Sequence, residues 1–184
     1  MKFYTLYAET CVEEFAQPGN ELYQLVKGCF NSEFQFLDHS PLEASLSDEG
    51  GMIIPDFMIY ESCVPIISER FRQLLDKAGV DNLFLKPVIF NEPSLGVRER
   101  CWLALPPRIE CLNLRKSVIR REEIGEDEYE LEAEKIVVNP RAIGNYKIFK
   151  LAPAYLNQDI IVTEDLADLI GQQDLANVNL GPLP

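Results

Sequence analysis

The apolar positions of the chain fall into short runs whose period changes along its length. Phe3, Tyr4, Leu6 and Tyr7 read as a short strand, and Gln17-Pro18-Gly19-Asn20 as a turn. Leu22, Leu25, Val26 and Cys29 recur at helical spacing with Gly28 near the end, which predicts one short helix. Phe34 and Phe36, then Ile53, Ile54, Phe57 and Ile59, read as strand fragments between turns at Ser40-Pro41 and Gly50-Gly51. Residues 1–60 are therefore expected to be an extended, loop-rich part.

The pattern sharpens beyond that point. Ile66-Ile67 leads into Ser68, a good N-cap, and Glu69 suits the positive end of a helix dipole. Phe71, Leu74, Leu75 and Ala78 share one helical face, and Gly79 stops the helix. Leu83-Phe84-Leu85 and Val88-Ile89-Phe90 read as strand broken by Pro87, whose missing N–H argues for an edge position or a bend. A strand interrupted at Pro106-Pro107 is expected between Cys101 and Leu114. Further strands are expected at Ser117-Val118-Ile119, at Glu134 to Val138, at Tyr146, Ile148 and Phe149, and at Ile160-Ile161-Val162. A second capped helix opens at Thr163.

Residues 65–88 align with 160–183 without a gap, an offset of 95. Ile66, Glu69, Leu74, Asn82, Leu85 and Pro87 meet Ile161, Glu164, Leu169, Asn177, Leu180 and Pro182 identically. Each stretch writes an apolar strand, a hydroxyl cap, a glutamate, an amphipathic helix and an apolar strand ending in proline. Duplication is one reading; convergence on residues that any strand–helix–strand unit favours is the other. The matched residues are caps and apolar positions, so they describe architecture rather than a catalytic set. The expected fold is α+β, with a mixed or antiparallel sheet, a few short helices and two related strand–helix–strand units. It is expected to form one domain over 1–184, with residues 61–184 carrying the repeat.

Charge changes this picture most. Thirty acidic residues stand against seventeen basic ones, a net charge of -13. Such a field repels phosphate backbones and anionic lipid surfaces, so neither nucleic acid nor membrane is an expected partner. It attracts a basic protein and speeds that encounter at low salt; solubility alone is the plainer reading of the same charge. No apolar run reaches the roughly 18–20 residues of a membrane-spanning helix, and Met1 to Ala8 offers no secretory h-region. Cys11, Cys29, Cys63, Cys101 and Cys111 are odd in number and lack a Cys-x-x-Cys pair, which suits free thiols in the reducing cytoplasm.

Little in the chain carries recognisable chemistry. His39 is the single histidine, and its neighbours Asp38 and Ser40 point apart along the chain rather than converging as a triad must. One histidine with scattered cysteines argues against zinc, and no phosphate-binding loop is present. No cofactor, metal or catalytic residue is expected. The strongest surface feature is the acidic run Glu122, Glu123, Glu126, Asp127, Glu128, Glu130, Glu132 and Glu134. Tyr129, Leu131 and Ala133 alternate with its later glutamates, which predicts a strand with one charged face. That face is either simply solvated or a docking surface for Lys and Arg of a partner. On the second reading Glu122, Glu123, Glu126, Asp127, Glu128, Tyr129, Glu130 and Glu132 are the candidate contact residues. Tyr129 and Trp102 belong to the residue types that anchor interfaces, although a lone tryptophan also suits a core.

Several short motifs, in order, resemble a known family. Pro55-Asp56-Phe57-Met58, Ile66 to Phe71, Gly79-Val80 and Lys86-Pro87-Val88 are similar to its opening half. Ile148 to Leu151, Ile160 to Leu166 and Leu180-Gly181-Pro182-Leu183 are similar to its later half. The family is the eleventh-numbered immunity family of bacterial polymorphic toxin systems, and the resemblance spans roughly residues 50–184. It implies a non-enzymatic protein, often encoded beside a toxin, that binds and neutralises that toxin. It supplies no set of binding residues. A small carboxylate-using hydrolase and a self-assembling structural adaptor are the rival expectations, and weak self-association stands beside the toxin partner. A closed cavity with converging carboxylates would favour the hydrolase.

Overall fold

The computed structural model describes residues 1–9, 12–19, 22, 40–47, 50–60, 64–92, 96–125, 128–152 and 159–183, with side chains of 121–132 excepted. The short helix expected from Leu22 to Cys29 lies, Leu22 apart, outside these residues, as do Phe34, Phe36, His39, Cys11 and Cys63. Among the described residues the chain is an α+β protein with two helices and mixed sheets.

The first sheet has the order β2-β5-β6-β4-β3, built from β2 (Leu42–Ala44), β3 (Phe57–Tyr60), β4 (Val64–Ser68), β5 (Phe84–Glu92) and β6 (Val97–Leu105). All its ladders are antiparallel except β2 against β5. The second sheet has the order β12-β1-β11-β10-β7. It takes β1 (Phe3–Tyr7) from the start of the chain, β7 (Arg108–Ile109) from the middle, and β10 (Ile148–Leu151), β11 (Ile160–Thr163) and β12 (Asn179–Pro182) from the end. Strands β8 (Val118–Gly125) and β9 (Glu128–Lys135) form a separate two-stranded hairpin.

Helix α1 (Glu69–Lys77) joins β4 to β5, and helix α2 (Glu164–Gly171) joins β11 to β12. In each sheet the two strands flanking the helix in sequence lie either side of one antiparallel strand, β6 in the first and β1 in the second. Both helices pack into a single cluster with one face of each sheet: Phe71 and Leu75 from α1, Leu166, Ala167 and Ile170 from α2, and Ile67 and Val162 from the preceding strands. Phe57 meets Phe71 edge to face at 6.0 Å, the geometry that aromatic quadrupoles favour. The opposite face of the first sheet buries Ile66, Val88, Phe90 and Leu103 beneath Ala16, Leu22 and Leu46. That of the second buries Phe149, Leu151 and Ile161 beneath Cys111, Ile136, Val138 and Ile143. Because both faces are covered, β4 and β11 are buried at every position, which is why they read as unbroken apolar runs rather than alternating ones.

Two local expectations changed. Pro87 does not break a strand: β5 runs unbroken from Phe84 to Glu92. Pro87 pairs with Trp102 of β6, and the ladder with β2 starts only at Val88, so the proline sits where the other edge has no ladder to lose. Ser68 caps α1 as expected, accepting the Phe71 N–H at 3.0 Å. Thr163 holds the N-cap position of α2 but accepts no helix N–H; its hydroxyl donates to Asp165 Oδ1 at 2.5 Å. At the Gly50-Gly51 turn, a Cβ on Gly51 would overlap the Glu14 carbonyl, so the close approach of the two segments requires glycine there.

Two polar contacts, one at the buried Asp56 and one at the half-buried Lys147, join the helical segments to each other's strands. The Asp56 carboxylate accepts the Ser68 hydroxyl at 2.5 Å and the Ala176 N–H at 2.8 Å, and faces Arg70 at 3.5 Å. Just before β10, Lys147 donates to the Ala78 carbonyl at 2.9 Å and pairs with Asp165 at 3.0 Å. Each residue thus bonds the N-terminal turn of the following helix and the backbone beyond the other helix. The charges are reversed because Ala176 offers an N–H and Ala78 a carbonyl.

Candidate functional site

The β8–β9 hairpin carries the acidic run. Glu122 and Glu123 lie on β8, and Glu128, Tyr129, Glu130 and Glu132 on β9; Glu126 and Asp127 lie outside the described residues. The strand expected from the alternation around Tyr129 is present as β9; it ends at Lys135, so of the strand expected from Glu134 to Val138 only Glu134 and Lys135 belong to it. The ladder pairs Arg120 with Glu132, Arg121 with Leu131, Glu122 with Glu130 and Glu123 with Tyr129. At the base Arg120 pairs with Glu134 at 2.6 Å, and Ala133 packs against the second sheet's outer cluster. No third strand pairs with this hairpin among the described residues.

Trp102, the other aromatic candidate, is half-buried on β6 and already engaged. Its indole N–H donates to Glu69 Oε2 at 2.6 Å. The guanidinium of Arg100 lies 4.4 Å and that of Arg72 5.2 Å from the ring centroid, within cation–π range. Arg72 also bonds Glu69 and Asp76. The Arg72 bond to Glu69 lowers that carboxyl to about 2, helped by Gln73 and Trp102. Sequence reasoning gave Glu69 only its dipole role; the i,i+3 spacing to Arg72 was the available signal.

The described thiols are poor nucleophiles. Burial pushes Cys101 up to about 12 and Cys111 up to about 11, far above the pH at which a thiolate forms readily. Among the described residues no three His, Cys, Asp or Glu side chains gather as a metal centre requires, and no helix is long and apolar enough to cross a membrane. A shallow groove of ≈ 390 Å³ runs between Phe3 and Tyr4 of β1, Ile136, Val138 and Leu183. Lys2 is its one charged lining residue, so it gathers no carboxylates of the kind an acid–base site uses.

Among the described residues the geometry is that of an α+β protein with two covered sheets and a charge-bearing hairpin. A family model described as Immunity protein family (Imm11) matches residues 11–183. The chain belongs to the Imm11 family of immunity proteins, which act against a toxin. A comparison with curated proteins gave no match.

Proposed function

We propose that this protein neutralises its cognate toxin stoichiometrically, by binding it in the cytoplasm and without catalysing a reaction. The observation that carries the reading is family membership across residues 11–183. The β8–β9 hairpin is the contact element, with Glu122, Glu123, Glu126, Asp127, Glu128, Tyr129, Glu130 and Glu132 meeting a basic face of the toxin. The net charge of -13 supports this choice, since complementary fields raise association rates and exclude like-charged partners. We propose equally that the chain folds as one domain, and that β4-α1-β5 and β11-α2-β12 are related by duplication. Matched residues Ile67 and Val162 both enter the shared helical cluster, and Ile66 and Ile161 both face away from it, which supports that relation.

The test is co-expression with the protein encoded by the adjacent gene, followed by affinity capture and size-exclusion chromatography. A complex of fixed stoichiometry that restores growth of toxin-expressing cells is the expected result. Rescue without a complex would refute neutralisation by binding.

A further inference from the structure

We infer that the free edge of β9 accepts an extended, Lys- or Arg-bearing strand of the toxin, so that the hairpin becomes a three-stranded sheet when the complex forms. The inference rests on the proposed toxin-binding role of the hairpin and adds the mode of recognition. A strand in a two-stranded ladder uses one row of N–H and C=O groups and leaves the other row unpaired. Here that row runs the length of β9, Glu128 to Lys135, with no strand beside it among the described residues. Two-stranded hairpins are marginal in water, and a third strand is the usual remedy.

Charge selects which edge and which guest. Strand β8 carries Arg120 and Arg121 beside its glutamates, whereas β9 carries Glu128, Glu130, Glu132 and Glu134 at alternate positions before its single base, Lys135. A cationic strand is therefore matched to β9 rather than β8. Opposite charges on neighbouring strands support pairing, and like charges oppose it. A second copy of β9 would bring glutamate against glutamate, so the same edge that welcomes a basic strand rejects its own kind. The base is held for this task by the Arg120–Glu134 pair and by Ala133 packed on the body of the protein.

Amide hydrogen exchange on the full-length protein, alone and with the inactivated toxin domain encoded by the adjacent gene, tests the inference. Alternate β9 amides should exchange rapidly in the free protein and become protected in the complex. The E128Q/E130Q/E132Q variant should bind roughly tenfold more weakly at low salt, with the difference shrinking as salt rises. Circular dichroism checks that the variant is folded, and the exchange measurement needs no variant at all. A complex that forms while every β9 amide keeps its free-state exchange rate would overturn strand addition and leave toxin binding standing. Absence of any complex would overturn both.

Discussion

Asp56 offers the sharpest test of how the fold is held together. The residue is 8% exposed, and its carboxylate accepts two hydrogen bonds, from the Ser68 hydroxyl and the Ala176 N–H. Replacing it with alanine removes both acceptors and leaves the Ala176 N–H without this partner in a partly buried position. Hydrogen bonds to a charged group contribute about 1.5–3 kcal/mol each, but Ser68 still caps Phe71, which limits its share of the loss. The expected cost of Asp56→Ala is about 3 kcal/mol. For a chain of this length that lowers the melting temperature by roughly 6–12 °C. Arg70, 3.5 Å away with its side chain 58% exposed, contributes little, since exposed ion pairs contribute at most about 1 kcal/mol. Arg70→Ala should therefore stay within about 0.5 kcal/mol of the parent. Urea denaturation followed by circular dichroism measures both, provided the slopes agree. If Asp56→Ala costs less than about 1 kcal/mol, or if Arg70→Ala costs as much, the Asp56 hydrogen bonds do not anchor the fold.

Phe71→Ala empties a fully buried position in the shared cluster and should cost about 3–5 kcal/mol; Leu169→Ala, at a position 37% exposed, should cost far less in the same denaturation assay. Glu69 has a folded pKa lowered from 4.5 to about 2, so its stabilisation is present above the unfolded value and fades as pH falls from about 4.5 towards 2. E69Q should flatten the stability profile across that window only slightly, because the group is 40% exposed, and Trp102 emission should change over the same interval in the parent alone. In the native protein at pH 8, peptides bearing Cys101 and Cys111 should resist iodoacetamide and become labelled only on unfolding; labelling at the rate of a free thiol would refute their burial.

How far the sequence reveals this structure depends on the range of the contact. Ser68, Glu69, the Phe71–Leu75 face and Gly79 were legible because capping, dipole and periodicity act within one helix, and Gly79 takes the expected φ of 74°. The Pro106-Pro107 interruption was legible for the same reason, since β6 ends at Leu105 and β7 starts at Arg108. Thr163 was legible as the N-cap position of α2, but its missing cap bond was not, since that depends on the orientation of the hydroxyl oxygen. The acidic strand was legible from its alternation, but its ladder partner was not. Glu122 pairs with Glu130 because the register shifts between Glu123 and Gly125 near the turn, which no propensity encodes. Asp56 was quoted only as part of a motif, and nothing local marks a carboxylate whose second partner lies at Ala176.

One arrangement governs timing in the cell. Strand β1, made first, is completed on both sides only by β11 and β12, from Thr5 against Ile161 and Gly181. At roughly 5–20 residues per second, a ribosome leaves that strand waiting many seconds for its neighbours, and such distant pairings also close slowly. The second sheet therefore closes only after residues 160–182 have been made, so binding that needs this sheet follows completion of that stretch.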